Sequence, residues 1–594
     1  MNQLRQLRFL PLLVLLVVAM LVFAACAPTA APADTGSEGG EAAEAAEEAG
    51  GEDDGTLTIL YWQAASVANA YLSGGTKDID ASSIVLEPLA NYDPEGNLVP
   101  VLAVEIPTVD NGGVSEDLTS ITWTLKEGVM WSDGTPLTSA DVVFTYEYCV
   151  NEETGCRALT SYDGVASVEA ADDRTVTVTF DGPKPYPYDP FVGGVAPVIQ
   201  QAQFADCVGA AAQTCTDQNL MPIGTGPYQV VDFKVNDVVV YEPNPNFHGG
   251  TPGFERVVFK GGGDAASAAR AVLETGEADY AWNLQVEPQI LDDMKAAGLG
   301  EVVVAFATNV ERLMVNQTNP DPALGDDRSV YMGGENAHPF LTDPVVTAAI
   351  SKAIDRGLIA EQLYGDAGRP SCNVVAAPPK YVSTANDDCQ VQDIDAANAM
   401  LDEAGYADTD GDGVRETPDG VPLSILYQTS TNSVRQKTQA LVKQWLGEIG
   451  VESELRDVDS AVFFGGDPNS PDTYGKFYAD IEMYTNGTTS VDMQLYLSGW
   501  VSSEIAGPEN NFLGNNVPRW ASEEYDALFQ ELTETAGDEN RAELFKQLND
   551  LLVQNYAMIP LVHRGSVSAI SNDLQGVRMN AWDSEMWNIE DWSR

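Results

Sequence analysis

The stretch that most constrains this chain lies at residues 423–458. Leu423 to Tyr427 reads as a strand, Ser433 to Ile449 as a helix with Leu441, Trp445 and Ile449 on one stripe, and Val451 to Val458 alternates as a second strand. That is a β-α-β unit, the mark of a mixed or parallel sheet covered by helices. Other segments agree. Thr56 to Tyr61 reads as a strand running into Trp62, and Ile121 to Leu125 alternates strictly. After a tight turn at Ser132 to Pro136, Thr138 with Asp141 forms a capping box that opens a helix through Val142, Val143 and Tyr146. Asp393 to Ala404 is a helix with Ile394, Ala397 and Leu401 on one face, and Gly405 stands where a left-handed cap is wanted. Two helices, near 522–535 and 538–554, precede an apolar strand at Ile559 to Val562. No fixed-period repeat is present, which removes propellers and solenoids.

Charge narrows the function. With 30 Lys and Arg against 90 Asp and Glu, the formal charge is −60, which argues against nucleic acid as a partner. The 44% hydrophobic content suffices for a sizeable core, and 594 residues suggest several domains or lobes. Such an acidic surface fits a salty habitat, where screening offsets self-repulsion.

The first residues read as an export signal. Arg5 and Arg8 precede an apolar run, Leu10 to Phe23, that is short for a transmembrane helix. Leu21 to Cys26 resembles a bacterial lipobox, in which Cys26 is diacylated after cleavage. Phe23 departs from the usual Leu, and the alternative is an ordinary signal peptide with an incidental cysteine. Residues 1–25 are then the signal, and the Ala-, Glu-, Gly- and Asp-rich residues 26–55 an acidic tether without core-forming side chains. The expected location is the outer face of the cell membrane, held there by lipid.

Six further cysteines fall into three neighbouring couples: Cys149 with Cys156, Cys207 with Cys215, and Cys372 with Cys389. Local pairing is the simplest of the fifteen connectivities six cysteines allow. A zinc site fares poorly, since no couple has C-x2-C spacing and His248, His338 and His563 are scattered. Enzyme signatures are also missing: there is no G-x-S-x-G, H-E-x-x-H or G-x-x-x-x-G-K-[ST]. No catalytic residue is assigned.

Four motifs in order carry a resemblance: Leu125 to Phe144 (LKEGVMWSDGTPLTSADVVF); Gly224 to Tyr228 with Asn244 to Phe247; Ala349 to Arg356; and Leu401 to Tyr406. Together they resemble the family 5 extracellular solute-binding proteins, the peptide-binding components of ABC importers, over about Ile59 to Ala569. Asp343 to Thr347 departs from relatives, which usually carry Arg there. The resemblance implies an α/β, bilobal periplasmic-binding-protein-like fold (type II, cluster C) with an extra subdomain in the first lobe. Lobe one would comprise 56–90, 222–302 and 563–594, the subdomain 91–221, and lobe two 303–562. The chain would cross between lobes twice, making a hinge.

It further implies a monomeric receptor that captures peptides by closure and hands them to permease and ATPase subunits. The same module could take an oligosaccharide or a nickel complex, and an exported hydrolase on this scaffold is a third reading. Peptide-binding relatives often bind the ligand ammonium through a lobe-two Asp, and the matching region, Glu482 to Asp492, offers Asp492 and Asn486. Tyr61, Trp62, Trp282 and Asn283 are candidate walls near the cleft, with Trp500 as a further one; aromatic faces stack on apolar groups and cations. Each aromatic could equally be core, and Asp492 a loop or cap residue.

Separately, Asp408, Asp410, Asp412, Gly413, Val414 (through its carbonyl) and Asp419 match the spacing of a calcium loop, although Pro418 disturbs the exit and an acidic Asx turn is the alternative. No cofactor is required; a structural Ca2+ is the one candidate.

Overall fold

The computed structural model describes residues 55–594 apart from 74, 465–469, 489, 511 and 513. The export segment, Cys26 and the tether up to residue 54 lie outside the described residues.

Two large sheets organise the chain. The first has seven strands in the spatial order Gly300–Ala305, Ser566–Ser571, Tyr280–Ala281, Thr56–Tyr61, Arg256–Gly261, Val238–Pro243, Tyr228–Lys234. Its central strand, Thr56–Tyr61, runs parallel to both neighbours and buries alternate residues, Leu57, Ile59 and Tyr61. Period-two burial is what a pleated strand with one core face imposes.

The second sheet has six strands in the order Gly368–Pro370, Met558–Arg564, Val310–Val315, Ile481–Asn486, Ser424–Ser430, Glu452–Val458. The β-α-β unit read from the sequence is its edge: Ser424–Ser430 pairs parallel with Glu452–Val458, and helix Ser433–Glu448 crosses between them. Asn432 starts that helix by accepting the Arg435 N–H at 3.0 Å. Trp445 and Leu446 bury against the sheet with Ile449, while Leu441 is only partly covered.

A smaller sheet, Ser120–Thr124, Thr175–Phe180 and Val165–Asp172 in that order, forms the segment inserted between strands of the first sheet. Helix Ser139–Val150 opens on the anticipated capping box, with the Thr138 N–H donating to Asp141 Oδ2 at 2.9 Å. Asp343, in the departure from the family pattern, also caps a helix, Pro344–Ala353, by accepting the Val345 N–H at 2.9 Å. Disulfides join Cys149 to Cys156, Cys207 to Cys215 and Cys372 to Cys389, with Cα–Cα distances of 5.1, 5.8 and 5.8 Å. Among the described residues no helix is long and apolar enough to cross a membrane.

The chain passes between the two large sheets at 306–309 and at Gly565, not at 302 and 562. Both strands run further than expected because their ladders extend that far, Ala305 opposite Ser566 and Val310 opposite His563.

Beneath the first sheet sits a buried acid network. Tyr61 Oη donates to Asp80 at 2.7 Å and Ser584 Oγ to the same carboxylate at 2.6 Å, while Tyr280 Oη and Ser568 Oγ donate to Glu585. Burial raises Asp80 to about 6, although the hydrogen bonds from Ser584 and Tyr61 pull it down, and burial together with the Asp80 charge raises Glu585 from 4.5 to about 8. A carboxyl whose folded pKa is raised keeps a proton that the unfolded chain releases. The stabilising contribution is therefore full below about 4.5 and is lost as pH rises through about 8. Chemical denaturation should accordingly give a lower midpoint at about pH 8.5 than at about pH 5, and Glu585→Gln should reduce that difference. A difference unchanged by the substitution would show that Glu585 is not its source.

Candidate functional site

The strand Val310–Val315 divides its side chains by parity. Leu313 and Val315 join one core cluster, while Met314 joins another with Tyr484 and Trp500. Arg312 shares the Met314 face and stands opposite Tyr484 across the ladder to Ile481–Asn486. That face looks into a cavity of ≈ 570 Å3, within the usual range of small-ligand pockets. Its lining includes Arg312, Tyr474, Tyr484, Tyr496 and Trp500 from the second sheet's side, and Thr160 and Asp163 from the inserted segment.

The walls are aromatic and tightly held. Tyr496 and Trp500 meet edge-on with centroids 4.6 Å apart, and Tyr474 and Tyr484 lie 5.3 Å apart. The Arg312 guanidinium lies 5.9, 5.9 and 5.5 Å from the Tyr484, Tyr496 and Trp500 rings. Burial raises the Tyr484 and Tyr496 hydroxyls above the usual phenol value against the opposing pull of Arg312, so both are neutral donors at physiological pH. On the inserted segment, burial raises the Asp163 carboxyl; Lys184 opposes the shift and Glu504, which lines the same cavity, adds to it.

Asn486 and Trp500, singled out in the sequence, both line this cavity. Tyr61 and Trp282 do not. They are 0% and 6% exposed and stack at 4.6 Å and 4° inside the first sheet's core, which leaves no face for a ligand. Trp62 is half-buried beside that stack and donates its indole N–H to the Asn283 carbonyl at 3.0 Å. Asn283 has a left-handed backbone (φ 54°), and its side-chain oxygen accepts from Arg564 at 2.9 Å, across the two sheets.

Asp492 is corrected as well. Both of its carboxylate oxygens take hydrogen bonds from Arg541, at 2.7 and 2.9 Å, and one also accepts the Gln494 N–H. With side chains 7% and 4% exposed, the pair is internal, so a ligand ammonium would have to displace a buried guanidinium. Sequence reasoning missed Arg312, Tyr474, Tyr484 and Tyr496. A signal for the first was present: an Arg at the third position of the otherwise largely apolar run Val310 to Val315.

At the calcium-like loop the structure groups Asp408, Asp410, Asp412 and Glu416, with oxygens within 4.8 Å of one another, and these four carboxylates could share a cation. Asp419 is not in the group. Glu416 takes the acidic place instead, held by Thr409 N–H and Oγ1 at 2.8 Å each, while Asp408 accepts the Gly411 and Gly413 N–H groups as in an Asx turn. Val414 donates its N–H to Asp412 Oδ1 at 2.8 Å.

Residues 97–517 match the model of the bacterial extracellular solute-binding proteins, family 5. The chain belongs to this family. Protein XP55 of Streptomyces lividans is 28% identical over 359 residues, covering 60% of this chain but 59% of that protein, so less than two thirds of that relative is spanned. The oligopeptide-binding protein AppA of Bacillus subtilis is 24% identical over 88% of this chain and 89% of its own. AppA's structure in complex with a nonapeptide superposes with a TM-score of 0.71 at 20% identity, covering 91% of this chain and 98% of that one. NikZ of Campylobacter jejuni in complex with Ni(L-His) gives 0.74 at 22% identity, with 91% and 100% covered. These likenesses show the bilobal family fold anticipated from the motifs: the seven-stranded sheet is the core of one lobe, the six-stranded sheet that of the other, and the large cavity lies between the inserted segment and the second lobe.

Asp492→Ala should cost about 3–5 kcal/mol of stability by stranding Arg541, and leave ligand affinity within about twofold, as denaturation and calorimetry would measure. Lost affinity at unchanged stability would return Asp492 to the binding site.

Proposed function

We propose that this chain is the solute-capturing component of an ABC importer, that its solutes are peptides, and that it delivers them to permease and ATPase subunits. The observation that carries the reading is the ≈ 570 Å3 cavity, with aromatic walls, a guanidinium at Arg312 and carboxylates at Asp163 and Glu504. A peptide presents apolar side chains, a cationic end and an anionic end, and each finds a complement there. The names of relatives such as AppA, an oligopeptide-binding protein, support the same ligand class. Capture would proceed by closure of the two lobes about the paired crossings, since only a ligand that prefers the closed state can drive that motion. The export signal and the Cys26 lipobox support a receptor held by lipid on the outer face of the membrane. No bond-breaking step is assigned.

Calorimetric titration of the full chain in detergent, with a defined pool of short peptides and a panel of oligosaccharides, tests the reading. Saturable peptide binding with a negative heat-capacity change is the expected result. Binding confined to the oligosaccharides would overturn the peptide assignment.

A further inference from the structure

Among the described residues three of the five buried arginines are fully engaged, and a fourth, Arg519, leaves its Nε without an acceptor. Arg435 is held by Glu311, at 2.8 Å in its closest contact, and by Ser430 at 2.8 Å, and Arg541 by Asp492 at 2.7 and 2.9 Å. Arg356 donates to the Pro560, Ser351 and Cys389 carbonyls and to Ser351 Oγ at 2.7–3.0 Å. Arg312 is different. It is 1% exposed, yet among the described residues it makes no ion pair, although acidic side chains outnumber basic ones 90 to 30 in the chain. Its one short hydrogen bond goes to Tyr496 Oη at 2.6 Å; the contacts to the Met314 sulfur and the Asn486 carbonyl are both 3.4 Å, and Nη2 has no acceptor among the described residues.

The Trp500 ring lines the same wall, with its indole Nε1 itself inaccessible. Burying a guanidinium with one nitrogen short of acceptors is costly, and the cost is reduced when an oxyanion enters the cavity. A planar carboxylate suits a guanidinium because two parallel N–H groups meet its two oxygens.

We propose that Arg312 is the anion receptor of this cavity and that the ligand carries a carboxylate which it binds. This rests on the cavity being the solute site. For a peptide the carboxylate is either the C-terminus or an Asp or Glu side chain; the chemistry is the same and the probes tell the two apart.

The test titrates the full chain with a set of short peptides, each prepared as the free acid and as the C-terminal amide, with and without a Glu side chain. Free acids should bind about 10- to 100-fold more tightly than Glu-free amides, the size of a charge-assisted hydrogen bond. Arg312→Gln should erase that difference, while Arg312→Lys should keep part of it. Amides that bind tightly only when they contain Glu would assign the carboxylate to the side chain and support the inference. The acid–amide comparison is made on the unaltered protein, so it stands even if Arg312→Gln does not fold. Acids and Glu-free amides binding alike would overturn the inference and leave the peptide reading intact. If no peptide binds, succinate and citrate are titrated: binding abolished in a folded Arg312→Gln would support the anion receptor and overturn the peptide reading, whereas binding of neutral sugars only, or of nothing, would overturn both.

Discussion

The structure depends on how few times the chain passes between its two large sheets. It does so at residues 306–309 and at Gly565, and the two passages are fastened to each other: the Arg564 N–H donates to the Asn309 carbonyl at 2.9 Å, and His563 Nε2 to the Ala307 carbonyl at 2.7 Å. Burial lowers the His563 pKa, keeping the imidazole neutral, so it serves as a fixed donor and not as a charge. Gly565 has no room for more than hydrogen, since a Cβ there would sit 2.5 Å from Val304 Cγ1. Each sheet can therefore complete its own core, and closure of the proposed kind would turn on one short, double-stranded joint.

The strand that leaves this joint, Val310–Val315, does two jobs on its two faces. Glu311 points one way, into the ion pair with Arg435, and stays charged because Arg435 and Thr485 outweigh the penalty of burial. Arg312 points the other way, toward the cavity, and is stabilised there by aromatic faces and the Tyr496 hydroxyl. Neighbouring residues of opposite parity thus separate a charge satisfied within the protein from one available to a solute. Because the strand begins at the joint, a ligand held by Arg312 is held close to the axis on which the lobes would move.

Much of the fold was legible because local rules operated without competition. Strict alternation at 121–125, the Thr138–Asp141 box and the β-α-β unit at 423–458 depend on neighbours in sequence, and each appears where it was read. The candidate site was less legible because it depends on partners far along the chain. Tyr61 has the same parity as Leu57 and Ile59, so its burial followed from the very alternation that marked the strand. Asp492 finds Arg541 49 residues downstream, which no local motif announces. Arg312 gains its meaning only when Tyr484, Tyr496 and Trp500 surround it, and those residues come from 484–500. In the acidic loop the spacing rule chose Asp419 where the chain's turn brought Glu416.

Small-angle scattering on the full chain in detergent, with and without a peptide already shown to bind by calorimetry, tests the two-lobe clamp most directly. Closure about the paired crossings predicts a smaller radius of gyration and a shorter maximum dimension when the ligand is bound. Saturable binding with a scattering profile that does not change would contradict it.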